Sequence, residues 1–481
     1  MSLKLTNIRV ENFKCIEDST PFRIDNLTAF VGKNESGKSA ILEALYKLNP
    51  VEATENNFDE LDYPRRQWSQ YKQRREKNPD NVLTTIWELD EGDTKAVVDI
   101  VGPNALIGNV ITVKKGYDNI PRYTVSLDDK KVAQNLIAGA DLFQEERDAL
   151  GEVASVPDLV TKLQAIEQPA EKQTKLLAAV TKKFPNNKVM QPIVEALHAR
   201  LPKFVLFSSY YKLPGEVALA AYAARKAQGA SHVTSGDRVF EALMDLAGVT
   251  TDGIQTINKF ESLIAELESV QAHLTSQIFK YWTQNKHLRV LFHFDAARPE
   301  DPAPFNSGYI FRTRIWNNRH EVSVGFDERS SGFVWFFSFL VWFSQVKKNY
   351  AEKLVILLDE PGLSLHARAQ ADLLRYIKEK LLPEHQVLYT THSPFMVDGE
   401  NLLSARTVED MTAPDETGEW EVIGRPYTTN AGKDAHVRVK KVGQPDVTEI
   451  RTWGAHERVS VRRELRCADR GRAPYHRSDH H

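Results

Sequence analysis

The sequence predicts a mixed α/β fold: a sheet with covering helices, an antiparallel β subdomain and a helical insertion. Three observations predict it. The glycine-rich stretch Gly32-Lys33-Asn34-Glu35-Ser36-Gly37-Lys38-Ser39 lies between a β-like run, Asn26 to Val31, and a helical pattern, Ile41, Leu42, Leu45 and Leu48. An unbroken apolar run, Leu354 to Leu358, ends in Asp359-Glu360-Pro361. Short β-like runs with Asp, Gly or Pro in the turns recur from Val82 to Leu127.

The glycine-rich stretch meets the pattern G-x-x-x-x-G-K-[ST] in full, which is a phosphate-binding P-loop. At average residue usage the pattern arises by chance in roughly one in fifty chains of this length. A triphosphate needs a concave set of backbone N–H donors, and Gly32 and Gly37 supply the dihedral freedom that shape requires. The candidate nucleotide-binding residues are Gly32, Lys33, Asn34, Glu35, Ser36, Gly37, Lys38, Ser39 and Ala40. Lys38 is placed to reach the β- and γ-phosphates of ATP, and the Ser39 hydroxyl to ligate Mg²⁺. The helix beginning near Ser39 adds the positive end of its dipole.

The apolar run Leu354 to Leu358 suits a parallel strand covered on both faces. Two acids at its C-terminal end fall where open α/β sheets bind ligands. Metal ligation favours an ionised carboxylate, whereas a base must exchange a proton. Asp359 is therefore the candidate Mg²⁺ ligand and Glu360 the catalytic residue that polarises the attacking water. Leu365, Ala369, Leu373 and Tyr376 mark a helix, and Gln386 to Tyr389 a strand leading into Thr390-Thr391-His392-Ser393-Pro394. That order sets two parallel strands in one sheet and brings His392 near Glu360, able to hydrogen-bond the γ-phosphate or the water. Upstream, Glu328-Arg329-Ser330-Ser331-Gly332-Phe333 steps into a buried helix, Phe333 to Phe343. Serine caps with a free helix N-terminus suit an anion.

Composition bounds what such a chain does. With 481 residues it exceeds one ordinary core. Its 42% hydrophobic and 26% charged content is that of a soluble globular protein. A net charge of −3 gives no global attraction to nucleic acid or anionic lipid, so such a contact needs a local patch. Tyr63-Pro64-Arg65-Arg66-Gln67-Trp68 through Lys72, Arg74, Arg75 and Lys77 interleaves basic and aromatic residues and is one such patch, or else a solvated helix face. Cys15 and Cys467 are the only cysteines, which excludes a disulfide framework and fits a cytoplasmic location. The start lacks the design of a secretion signal, and Phe333 to Phe343 is too short to span a bilayer, so no membrane partner is expected.

Residues 1–129 are expected to form an N-terminal lobe carrying the P-loop. Within it Leu83 to Trp87, Ala96 to Ile100, Asn109 to Val113 and Tyr123 to Leu127 read as strands. Residues 130–287 read as a mainly helical insertion with a strand near 203–208, either an ordinary helical subdomain or a dimerisation arm. The stripes Leu159, Leu163, Ile166 and Phe260, Leu263, Ile264, Leu267, Val270 carry that reading. Residues 288–425 form a C-terminal lobe, and 426–481 an atypical Arg/His-rich tail, expected to be disordered.

In this order the motifs resemble the ABC-type ATPase head of the SMC, RecF and RecN group, and above all the OLD (overcoming lysogenisation defect) family of ATP-dependent nucleases. The opening Ile8-Arg9-Val10-Glu11-Asn12-Phe13-Lys14 is similar to that group's first strands. Asp359-Glu360-Pro361-Gly362, Leu365-His366 and Thr391-His392-Ser393-Pro394 correspond to its Walker B, D-loop and switch-histidine segments. The resemblance implies a homodimer, or a higher homo-oligomer, in which two heads sandwich two ATP molecules. Ser330, Ser331 and Gly332 would then contact the nucleotide of the other subunit. The glutamine that senses Mg²⁺ is not located, Gln67, Gln70 and Gln73 being candidates. OLD nucleases continue into a TOPRIM domain, for which too few residues follow His392. A nuclease on another chain is therefore one implied partner and DNA another, and an out-of-frame origin for the ending after Gly424 is a further reading. The implied function is a DNA-associated ATP switch serving a nuclease in DNA repair or phage defence. The alternative is an ATP-gated sensor or scaffold controlling a protein partner without DNA-stimulated turnover. A transporter subunit is disfavoured, because the signature has Ser331 before a single glycine.

Overall fold

The computed structural model describes residues 3–52, 55–208, 210–229, 232–248, 260–350 and 353–409, with strand residues 420–421, 427–428, 435–441 and 447–452. The chain divides into two units, Met1–Thr412 and Ala413–His481.

The first unit is organised by a five-stranded parallel sheet in the order Ala405–Thr407, Leu27–Val31, Gln386–Thr391, Leu354–Asp359, Lys203–Ser208. Apart from Ala405–Thr407, its strands are largely buried because both faces are covered. Side chains alternate across it: Leu354, Ile356 and Leu358 enter one core, Val355 and Leu357 the other. Register places Val31 opposite Thr391 and Asp359 opposite Ser208. The loops that begin at Gly32, Glu360 and His392 therefore leave the same edge of the sheet.

One core is filled by the helix Ser331–Asn349, whose Trp335, Phe336, Phe337 and Phe339 are all buried. Ser338 sits among them without cost, because its hydroxyl donates to Val334 O at 2.6 Å and accepts from Leu213 N at 2.7 Å. Helices Ser235–Leu246 and Ala367–Tyr376 and an antiparallel sheet of Leu288–Ala296, Tyr309–Asn317, Val322–Gly325 and Glu216–Ala218 complete this layer.

The other core joins the helix Lys38–Tyr46 to an antiparallel sheet of Lys4–Phe13, Ile16–Asp18, Phe22–Arg23, Asn81–Glu88, Leu106–Gly116 and Arg122–Leu127. Buried Gln386 rivets this sheet to the central one: its amide accepts from Leu5 N at 3.2 Å and donates to Leu5 O at 2.7 Å. Helices Asp129–Gly139, Gln144–Asp148, Val156–Ala165, Glu171–Lys183 and Met190–His198 follow. The helix Phe260–Tyr281 lies in the stretch whose spacing predicts one.

One expected strand is wrong. Ala96 to Ile100 lies inside the helix Glu91–Val101. A capping box, in which Asp90 and Asp93 each accept the other's backbone N–H, starts that helix, and Gly102 at φ 86° ends it. Val97 and Val101, four residues apart, form its buried face.

In the second unit the described strands Trp420–Glu421, Tyr427–Thr428, Ala435–Lys441 and Val447–Thr452 pair antiparallel. The arginine-rich stretch from Arg458 to Arg477 lies outside the described residues. Among the described residues no helix is long and apolar enough to cross a membrane.

Candidate nucleotide-binding site

The loop after Val31 is shaped by two conformations that favour glycine or are strained without it: Gly37 at φ 95° and Glu35 at φ 65°. Gly32 is required by space, since a Cβ there would lie 2.1 Å from Val408 O. The Ser36 hydroxyl is buried without a hydrogen-bond partner, a polar group facing into the loop that a ligand oxygen would satisfy. Lys38, at 5% exposure, donates from Nζ to Gly32 O at 3.0 Å and Lys33 O at 2.6 Å. Its ammonium is thus held by carbonyls of the loop itself. Lys33, Asn34 and Glu35 are exposed.

The two halves of the site meet. Ser39 Oγ donates to Asp359 Oδ1 at 2.8 Å, across 320 residues of sequence. Lys38 Nζ lies 3.7 Å from Glu360 Oε1, and His392 Nδ1 lies 3.1 Å from Glu360 Oε2. Glu360 takes φ 47°, a left-handed conformation rare outside glycine, which turns its carboxylate back toward the loop carrying His392. Five residues selected from sequence, Lys38, Ser39, Asp359, Glu360 and His392, therefore form one contiguous network at the strand ends.

Thr390, to which the sequence assigned no role, holds the network together. Its hydroxyl donates to Asp359 Oδ1 at 2.8 Å and accepts from Glu360 N at 2.7 Å. It is one of three buried polar residues, with Gln386 and Thr391, on the strand between the two motif strands, so nothing in the sequence singles it out. Hard oxygen donors at Ser39 and Asp359 fit Mg²⁺, which prefers few protein ligands and keeps waters or phosphate oxygens. The orphaned Ser36 hydroxyl and the tight approach at Gly32 fit a phosphate chain.

Ser330, Ser331 and Gly332 lie elsewhere. Ser330 Oγ caps the helix Ser331–Asn349 through Phe333 N at 3.4 Å, and Ser331 Oγ accepts from Lys212 Nζ at 2.9 Å. Gly332 packs on the loop after Glu360, where a Cβ would meet Ser364 O at 2.8 Å and Leu365 Cδ2 at 2.7 Å. Among the described residues no hydrogen bond or ion pair joins these three to Gly32–Ala40 of the same chain.

The basic and aromatic stretch is not an open stacking surface. Tyr63 and Tyr71 are buried and stacked on each other, ring centroids 4.0 Å apart. Arg74 pairs with Asp80, and Arg75 with Glu60. Arg65, Arg66 and Lys72 remain exposed. Among the described residues, Gln67, Gln70 and Gln73 make no hydrogen bond to Ser39 or Asp359.

No curated protein matches the chain. Solved structures similar to it include an Smc head bound to the C-winged helix domain of ScpA, at 13% identity over 85% of this chain and 94% of that one, TM-score 0.36. The Smc head domain with an extended coiled coil, bound to the C-terminal domain of ScpA and derived from Pyrococcus furiosus, is similar at 12% identity over 85% and 94%, TM-score 0.34. The SMC head domain from Thermotoga maritima is similar at 11% identity over 84% and 94%, TM-score 0.31. At those scores the likeness carries nothing about activity. The AAA ATPase domain family matches residues 3–80 and 219–397, stretches that hold the P-loop, Asp359, Glu360 and His392. Those stretches make up just over half of the chain, which belongs to the AAA ATPase domain family.

Proposed function

We propose that the chain binds ATP with Mg²⁺ and hydrolyses it in a head-to-head homodimer, as a DNA-associated switch of the OLD-like kind serving a nuclease. The observation that carries the hydrolytic part is the 2.8 Å bond between Ser39 and Asp359, because it brings the phosphate loop and the acidic strand end to one point. In this reading the amides of Gly32 to Ser39 and the Lys38 ammonium hold the phosphates. Ser39 and Asp359 hold magnesium, which when bound neutralises charge on the phosphate oxygens. Glu360 orients the attacking water and takes its proton, and His392 hydrogen-bonds Glu360 and steadies it.

Dimerisation is supported by what the site lacks in one chain. Ser330, Ser331 and Gly332 present a serine-capped helix N-terminus that, among the described residues, makes no hydrogen bond to the chain's own P-loop. Leu363 and Phe395, on the loops after Glu360 and His392, are exposed at 54% and 58%, apolar surface that a second copy would cover. Hydrolysis then depends on association, which makes ATP a clamp.

A second reading, an ATP-gated sensor or scaffold for a protein partner, is favoured by one observation. Two of the three aromatic residues of the basic stretch, Tyr63 and Tyr71, are buried and two of its arginines are paired, which removes much of its capacity for nucleic acid. ATP turnover measured with and without DNA, beside molecular mass in ATP, separates the two. Stimulation by DNA with doubling of mass supports the first reading. Doubling of mass with turnover indifferent to DNA supports the second, and an unchanged mass in ATP removes the clamp from both.

A further inference from the structure

Gln370 is a buried polar residue that the mechanism above does not use. It stands on the helix Ala367–Tyr376 with 7% exposure, and its amide is satisfied at both ends by loops of the site. Nε2 donates to Gly362 O at 3.1 Å, and Oε1 accepts from Ser393 Oγ at 2.7 Å. Gly362 belongs to the loop after Glu360, and Ser393 directly follows His392. The amide is thus a crosspiece between the two loops that bear the residues touching at 3.1 Å.

Each end of the crosspiece is fixed. Gly362 takes φ 77°, and its carbonyl also accepts from Leu365 N at 2.8 Å, which fixes its direction. Ser393 N donates to Thr391 Oγ1 at 3.0 Å, and Ser393 Oγ also accepts from Phe395 N at 3.3 Å. The Glu360–His392 contact therefore lies between two bridges: the Thr390 hydroxyl on the sheet side and the Gln370 amide on the helix side. Beyond the second bridge each loop continues into an exposed apolar residue, Leu363 on one and Phe395 on the other.

We infer that Gln370 is a positioning residue for ATP hydrolysis: its side-chain amide sets the spacing of the two loops and so holds His392 against Glu360. The inference rests on the reading of Glu360 and His392 as the hydrolytic pair. Gln370→Met keeps the length and burial of the side chain and removes both bonds. The amide that spans Gly362 and Ser393 is then gone, and the histidine loses its register on the carboxylate. Misplacement of a reacting group by about an ångström costs up to about a hundredfold in rate.

The test is a double-mutant cycle on ATP turnover, with nucleotide affinity read by binding of a non-hydrolysable ATP analogue. Gln370→Met alone is expected to lower kcat about 10- to 100-fold while analogue affinity stays within about threefold. On a His392→Ala background the same change is expected to cost less than about twofold, because the group it positions is gone. A residue with only a structural role lowers turnover equally on both backgrounds, and that result overturns the inference, as does unchanged kcat in Gln370→Met. Wild-type turnover in His392→Ala is a different failure: it removes the hydrolytic pair and this inference with it. Ser393→Ala, which cuts one of the two bonds from a partly exposed position, gives the same cycle if Gln370→Met does not accumulate as folded protein.

Discussion

Lys38 concentrates the chemistry of the P-loop in one side chain. It is almost fully buried, carries no buried carboxylate closer than the 3.7 Å contact to Glu360, and is held by two backbone carbonyls. Phosphate oxygens would replace those carbonyls with charge-assisted bonds worth about 1.5–3 kcal/mol each. Lys38→Ala is therefore expected to weaken ATP binding by at least about a hundredfold, measured by equilibrium titration with a labelled nucleotide. Affinity within a few-fold of wild type contradicts the assignment. At this scale the sequence was most legible where a residue type is demanded by chemistry: Lys38, Ser39, Asp359, Glu360 and His392 stand in spacings that few other constraints produce. Thr390 and Gln370 were not legible, because a threonine in a strand and a glutamine on a helix are common, and only coordinates reveal which groups they bridge.

Among elements, the helix Ser331–Asn349 shows how one position couples two segments. Gly332 lies where this helix meets the loop after Glu360, and the backbone oxygen of Ser364 cannot give way as a flexible side chain would. Gly332→Ala is expected to push the two apart and to destabilise the chain by about 1–3 kcal/mol, read as a lowered urea midpoint at unchanged slope. An unchanged midpoint shows that the contact relaxes freely. Elements were legible where periodicity was long and unambiguous, as in the aromatic helix and the apolar strand Leu354–Asp359. Ala96 to Ile100 misled because a short apolar run with two adjacent valines suits a strand and a helix equally. Only the reciprocal Asp90–Asp93 cap decides it, and that signal sits upstream of the run.

For the whole molecule, the parallel sheet divides two cores and gathers its functional loops at one edge, while the opposite edge bears on stability. There His385 is buried, its Nδ1 accepting from Leu354 N at 3.2 Å at the start of the strand that ends in Asp359. Burial holds its pKa below the ordinary 6.5, against the weaker pull of Glu384 and with Lys347 and Lys353 adding to the lowering. The folded chain thus binds fewer protons than the unfolded one once pH falls below that value. Its contribution to stability is complete above about 6.5 and is lost on acidification, with a limiting slope of about 1.4 kcal/mol per pH unit. His385→Asn keeps an acceptor for Leu354 N and cannot titrate. Its unfolding free energy is expected to fall less than that of wild type between pH 7 and 5.5, and parallel curves contradict this. The mixed α/β architecture was legible because the motifs impose their own strand order. The strands Leu288–Ala296, Tyr309–Asn317 and Val322–Gly325 were legible one by one, but their pairing with Glu216–Ala218 and their place in the same core as the helix Ser331–Asn349 were not, since pairing across distant segments leaves no local pattern.

In the proposed mechanism the segments around Lys38 and around Asp359–Glu360 act on one magnesium-bound triphosphate. Glu360→Gln, assayed for nucleotide affinity and turnover in the same preparation, separates binding from hydrolysis there. The change keeps the shape of the side chain beside Lys38 and His392 and removes its capacity to take a proton. The expected result is ATP affinity within a few-fold of wild type and turnover lowered by about 10²- to 10⁴-fold. Turnover at the wild-type rate would contradict the account.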